Sequence, residues 1–247
     1  LNFGDLVNGN IFPAIELFLE QNATLELIIN VTSKNDISIV NNLYAKLLND
    51  ANLSVHMVST GGLFSRSRLD IDLYGNGSGF EIDGVYFGEN AQIHDTRVFV
   101  NHLGKSTTSN MITKGVLGDE SSSIFTGTIH IAEGAVKTES QQENRNIILT
   151  EKASAQSVPN LEILCDDVIC GRDHSVKRRE SLILRMRSSN DRLADKKFLK
   201  DWLLSCVERF REPAENVVEV IALDQTSTDW IPEWQTRCVR PLKQSNG

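Results

Sequence analysis

The stretch between His102 and Cys170 limits what this chain can fold into more than any other part of it. Short β-type runs alternate there with turn residues: Met111–Thr113, Ser123–Thr126, Thr128–Ile131, Ile147–Leu149 and Leu161–Leu164. Gly115, Gly118-Asp119, Gly127 and Glu133-Gly134 read as breaks between several of them. No apolar period of helix length intervenes. Strands this short cannot bury a face alone and must stack on many others. A barrel, a sandwich or a β-solenoid would each provide that stack.

The β character extends upstream. Thr24–Val31 reads as a strand, and from Leu53 onward the period is two. In Arg68–Tyr74, Leu69, Ile71 and Leu73 form one face and Arg68, Asp70 and Asp72 the other. Gly75-Asn76-Gly77-Ser78-Gly79 is a turn between two strand patterns. One upstream segment reads differently. Val40, Leu43, Tyr44, Leu47 and Leu48 fall on a helical stripe, and a helix is expected near 37–50.

After residue 176 the chain changes again. Phe198, Leu199, Trp202, Leu203, Cys206, Val207 and Phe210 make a helical stripe that Pro213 ends. A further short helix is expected over 213–223, then a surface tail. The expected organisation is a β core over 1–176 and a C-terminal helical domain with tail over 177–247.

With 25 basic and 33 acidic residues the net charge is −8, which argues against a general nucleic-acid binder. Lys177-Arg178-Arg179 is a local basic cluster only. No apolar run reaches the roughly 18 residues of a membrane span. The first residues have no basic segment before an apolar one, so no secretory signal is expected. The chain starts at Leu1 rather than Met and reads as a piece lacking an N-terminal segment. Cys165 and Cys170 lack zinc-type spacing, and Cys206 lies on the helical stripe as a core residue. No nucleophile elbow, HExxH or P-loop occurs.

The 102–170 stretch also carries a resemblance. His102, Ser109 and Lys114-Gly115-Val116-Leu117 come first. Ile124-Phe125-Thr126-Gly127, Ala135, Lys137-Thr138, Gln141, Asn144 and Asn146-Ile147-Ile148-Leu149 follow. Pro159, Leu161-Glu162-Ile163, Asp166-Asp167-Val168 and Cys170 close the series. In order and spacing these blocks resemble the SufD family, the D-type scaffold subunits of SUF iron–sulfur cluster assembly. The resemblance implies a mainly β fold: a right-handed parallel β-helix with a C-terminal α-helical cap. It implies a non-catalytic scaffold in the cytoplasm or plastid stroma, with no intrinsic cofactor. The expected partners are a SufC-like ABC ATPase, a SufB-like paralogue or a second copy, with no nucleic acid and no membrane. A transient iron–sulfur cluster or iron is expected at a subunit interface.

The family pattern reads Cys-Ser-His after the paired aspartates. Here the segment is Asp166-Asp167-Val168-Ile169-Cys170-Gly171-Arg172-Asp173-His174, so Arg172 stands at the histidine position. Cys170 and His174 are the expected metal contacts, since thiolate and imidazole suit iron. Phe198, Leu199, Trp202 and Leu203 are the expected ATPase-docking residues. His102 matches a family histidine, and a packed, hydrogen-bonded core residue is the expectation; His130 is expected at the surface. Two other readings stay open. One is a β-helix polysaccharide enzyme using Asp70, Asp72 and Asp83. The other is a homodimeric structural homologue without cluster function.

Overall fold

The computed structural model describes residues 9–33, 36–178 and 217–223. Strands alternate between two sheets as the chain proceeds. One holds β1 (Gly9–Ile11), β2 (Ala14–Leu19), β4 (Ile37–Leu47), β6 (Phe64–Leu73), β8 (Ile93–His102), β10 (Ser122–Ile131) and β12 (Ser154–Ile163). The other holds β3 (Thr24–Ser33), β5 (Asn52–Gly61), β7 (Gly79–Gly88), β9 (Thr108–Leu117), β11 (Thr138–Ile148), β13 (Val168–Arg178) and β14 (Val217–Leu223). Each strand pairs in parallel with the strand one turn away, as β4 with β6 and β5 with β7. That is a parallel β-solenoid of about six turns, not a sandwich of antiparallel sheets.

Alternation builds each turn. Leu69, Ile71 and Leu73 are buried inside, while Arg68 and its outward neighbours face solvent, as expected. Inner residues stack in columns down the axis, such as Ala45, Ile71, Val100 and Ile129. Outer stacking repeats at the turns. Asn49 Oδ1 accepts from the Asn76 N–H at 2.9 Å, and Asn76 Oδ1 accepts from the Lys105 N–H at 2.9 Å.

The helix expected near 37–50 is not formed; residues 37–47 are β4. The segment fits both periods because apolar residues occupy both of its faces. Ile37, Ile39, Leu43, Ala45 and Leu47 are buried at every second position, together with Asn41, whose amide donates to Ser67 at 2.8 Å. Tyr44 points out and donates to Asp72 at 2.8 Å. Parallel pairing with β6 decides between the two periods, because a helix would leave that strand's N–H and C=O groups unpaired.

The expected breaks at Gly115 and Gly127 are also corrected. Both lie inside uninterrupted strands, β9 and β10. They are glycines because neighbouring side chains occupy the space of a Cβ: the Tyr86 ring at Gly115 and the Gln142 amide at Gly127. The helix expected over 213–223 is replaced, in its last seven residues, by β14, which pairs in parallel with β3. The stripe at 198–210, the docking residues Phe198, Leu199, Trp202 and Leu203, and Cys206 lie outside the described residues.

Candidate functional site at the last turn

The interior changes chemistry along the axis. The early turns are filled by Leu27, Leu43, Leu53, Met57, Leu69 and Ile71. The later turns bury His102, Thr107, Ser109, Ser140, Gln142, Asn144 and Asn146. Buried polar groups need partners, and most of these find them inside. His102 contacts Thr107 Oγ1 through Nδ1 at 2.8 Å and Ser109 Oγ through Nε2 at 3.0 Å. Ser109 and Ser140 hydroxyls meet at 2.6 Å, and those of Thr107 and Thr138 at 3.1 Å. Asn144 donates to Thr113 Oγ1 at 2.7 Å and accepts from Asn146 Nδ2 at 2.7 Å. Tyr86 donates to Asn146 Oδ1. His102 is therefore the hydrogen-bonded core residue expected from its position, and burial, helped by the charge of His130, lowers its imidazole to about 4. His130 is half-buried on β10.

β13 lies against this polar column. Its register sets Cys170 beside Ser140, Arg172 beside Gln142 and His174 beside Asn144. The β11 partners all face inward, so Cys170, Arg172 and His174 form one inward row on the last turn. Cys170 and His174 are half-buried and Arg172 is exposed, because no further turn covers the row among the described residues. Burial pushes the Cys170 thiol up, against a backbone hydrogen bond from Ser140. Burial pushes the His174 imidazole down; Asp173 opposes that and Arg172 adds to it. Neither His174 nitrogen has a hydrogen-bond partner, and its ring stands 6.2 Å from that of Phe125.

The two expected metal contacts thus share a face but not a point. Four residues of strand separate their Cα atoms by about 13 Å. Side chains standing perpendicular to a sheet do not close that gap onto one ion with bonds of about 2 Å. Among the described residues, no three of His, Cys, Asp and Glu group so as to hold a metal. Asp166 and Asp167 are exposed in the turn before β13, where the Asp167 carbonyl accepts from the Lys137 N–H at 2.6 Å. Sequence reasoning missed the inward placement of Arg172 and the role of Gln142. Alternation counted from Cys170 would have found the first.

The acid cluster of the polysaccharide reading does not converge. Asp70 and Asp72 lie on the outer face of β6, bound to Arg68 at 2.7 Å and to Tyr44 and Asn101 at 2.8 and 2.7 Å. Asp83 belongs to β7 in the other sheet, 3.7 Å from His56.

Residues 8–181 match the family model described as SUF system FeS cluster assembly, SufBD core domain. The chain belongs to the SufBD core-domain family. It is 27% identical over 169 residues to the iron–sulfur cluster assembly protein SufD of Escherichia coli, covering 67% of this chain and 40% of that protein. It is 35% identical over 118 residues to SufD of Bacillus subtilis, covering 48% of this chain and 27% of the other. A SufBD family protein of Mycobacterium leprae is 27% identical over 235 residues, covering 90% of this chain and 60% of the other. The chain therefore spans between about a quarter and three-fifths of the length of these relatives. The SufD-like character expected from the 102–170 blocks is borne out, and the match takes in the strands from β1 to β13.

Proposed function

We propose that this chain is a non-catalytic, SufD-like scaffold of the SUF system, working in the cytoplasm or plastid stroma. Its C-terminal segment, through Phe198, Leu199, Trp202 and Leu203, docks a SufC-like ABC ATPase. Its last turn meets a SufB-like paralogue, and its strands wind right-handed, as parallel crossovers overwhelmingly do. An iron–sulfur cluster or iron passes through as cargo, touched by Cys170 or by His174 as single ligands that the partner completes. The observation that carries this reading is the inward row Cys170–Arg172–His174 on a turn left open among the described residues, in a chain of the SufBD family. Soft sulfur and imidazole nitrogen suit iron. An interface can bring the further ligands that one strand cannot.

Co-purification of the intact chain with a SUF ATPase and a SufB-like protein under reducing conditions tests the scaffold role. Absence of any complex would count against it. Anaerobic cluster reconstitution in that complex, comparing Cys170→Ala and His174→Ala with wild type, tests the ligand role. Unchanged cluster yield in both variants would remove the metal assignment. A chain that forms only homodimers in these experiments would instead be the structural homologue, a reading favoured by Arg172 at the histidine position of the resembled pattern.

A further inference from the structure

We propose that the outer face of the sheet holding β7, β9 and β11 docks this chain's own residues 179–216, first through Leu182, Ile183, Leu184 and Met186. Val85, Phe87, Val116, Ile147 and Leu149 form an apolar patch there, separate from the clusters that fill the interior. Alternation turns the patch outward: Ile82 and Tyr86 fill the interior on β7, so Val85 and Phe87 face away from it. Yet Phe87 and Val116 are only 2% and 1% exposed. Flanking strands alone do not seal such residues. Val58 on β5 and Ile112 on β9 share that outer face, have a paired strand on each side, and remain partly exposed. The turns after β7 and β9 lead away to the other sheet. Among the described residues, no third layer of strands lies over the pair. A further stretch of chain therefore covers it.

The strand order says which stretch that is. β13 and β14 are the two outermost strands of this one sheet, about 29 Å apart at roughly 4.8 Å per strand. Arg178 ends β13 level with Ser33, whereas β14 starts at Val217, level with Glu26. The connection therefore also runs back about 23 Å against the strand direction. Residues 179–216 cover the resulting distance of about 37 Å even at the rise of a helix, about 1.5 Å per residue. The direct path crosses the outer face of this sheet, whereas a path over the other sheet has to round both edges of the solenoid. The patch lies where the path begins, with Ile147 one strand from β13 and Phe87 three. Leu182, Ile183, Leu184 and Met186 are the first apolar residues after Val176. Arg178, Arg179, Arg185 and Arg187 flank them, and the face they cross carries Glu81, Asp83, Glu139 and Glu143. Apolar surface thus meets apolar surface, and basic meets acidic. The contact uses none of Phe198, Leu199, Trp202 and Leu203, so it stands or falls apart from the ATPase docking proposed above.

The test uses the full chain with a photoreactive benzoylphenylalanine in place of Ile147 or, separately, of Val85, both partly exposed beside the sealed pair. Irradiation should join each probe to residues 179–216 of the same molecule, as read by peptide mass spectrometry of the monomer. Cross-links confined to other stretches, cross-links between two copies, or none from either probe would overturn the proposal. A second measurement uses methyl-labelled full chain and a soluble gadolinium chelate. Ile183→Asp combined with Leu184→Asp should raise the broadening of the Val116 methyls severalfold. The methyls of Ile71, inside the solenoid, report that the fold is kept and should not change. Val116 as well shielded in this variant as in wild type, with Ile71 still shielded, would assign the cover to something else and sink the proposal.

Discussion

Acid should weaken this solenoid through two interior histidines. His94 and His102 are both buried, 2% and 0% exposed, and both are held at about 4 against an ordinary 6.5, chiefly by burial. His94 meets Ser59 Oγ through Nδ1 at 3.0 Å, stacks on Tyr86 and is touched by the Phe87 backbone, which partly opposes the effect of burial. His102 sits between Thr107 and Ser109. A histidine whose folded value lies below its unfolded value takes up its proton mainly in the unfolded chain. Its contribution to stability is intact above about pH 6.5 and declines as the pH falls toward 4. Below that both states are protonated and no more is lost. For values of 6.5 and about 4, the loss at pH 5 is about 2 kcal/mol per histidine, rising to roughly 3.4 kcal/mol at the acid limit. Together they should remove about 4 kcal/mol between pH 8 and pH 5, a large share of an ordinary domain's stability. Urea unfolding at a series of pH values, for wild type, His94→Gln and His102→Gln, measures this. Each substitution lowers stability at pH 8, but it should also remove about half of this acid-dependent loss. Carboxylate titrations are common to all three proteins and cancel in the differences. If wild-type and variant curves run parallel from pH 8 to pH 5, the buried-histidine account is wrong.

Three further outcomes are expected. Gly127→Ala should destabilise by about 1–3 kcal/mol through overpacking against Gln142, and Gln142→Ala in the same chain should recover part of the loss, as read from urea midpoints. Asp95 is 1% exposed between Arg66 and Arg97, at 2.8 and 3.1 Å. Asp95→Ala should cost about 1–3 kcal/mol by leaving two half-exposed guanidinium groups without their acceptor, and molar salt should shrink the difference in midpoint only slightly, because the carboxylate is shielded from solvent. Ile71→Ala, in the middle of the apolar column, should cost about 2–5 kcal/mol in the same assay, and no more than ~1 kcal/mol would mean that the early turns collapse around the gap.

Much of the candidate site was legible before the fold was. Cys170 and His174 fall on one face of β13 because strand side chains alternate, and the sequence spacing already states that. What the spacing could not state is where any third ligand stands, or that Arg172, between them, comes to lie beside Gln142. Gly115 and Gly127 looked like breaks because glycine is commonest in turns. Their reason is a side chain from another strand: Tyr86, one turn earlier, at Gly115, and Gln142, on the strand that follows, at Gly127. The repeat was hidden for a related cause. Residue 43 pairs with residue 69, an offset of 26, while residue 125 pairs with residue 157, an offset of 32. The inner columns also change from leucine and isoleucine to serine and asparagine, so neither length nor composition recurs.

From the amino-acid order alone came the β character of the middle of the chain, the inward faces of its clearest strands, and membership of the SufBD family. These rest on local alternation and on blocks of residues read in place. The tertiary structure decided that 37–47 is a strand, that two glycines yield to remote side chains, and that Gln142, Arg172 and His174 become neighbours. Register between parallel turns is set by hydrogen bonding across the stack, between segments 26 to 32 residues apart in the pairs compared above, and no local pattern encodes which residue comes to lie beside which.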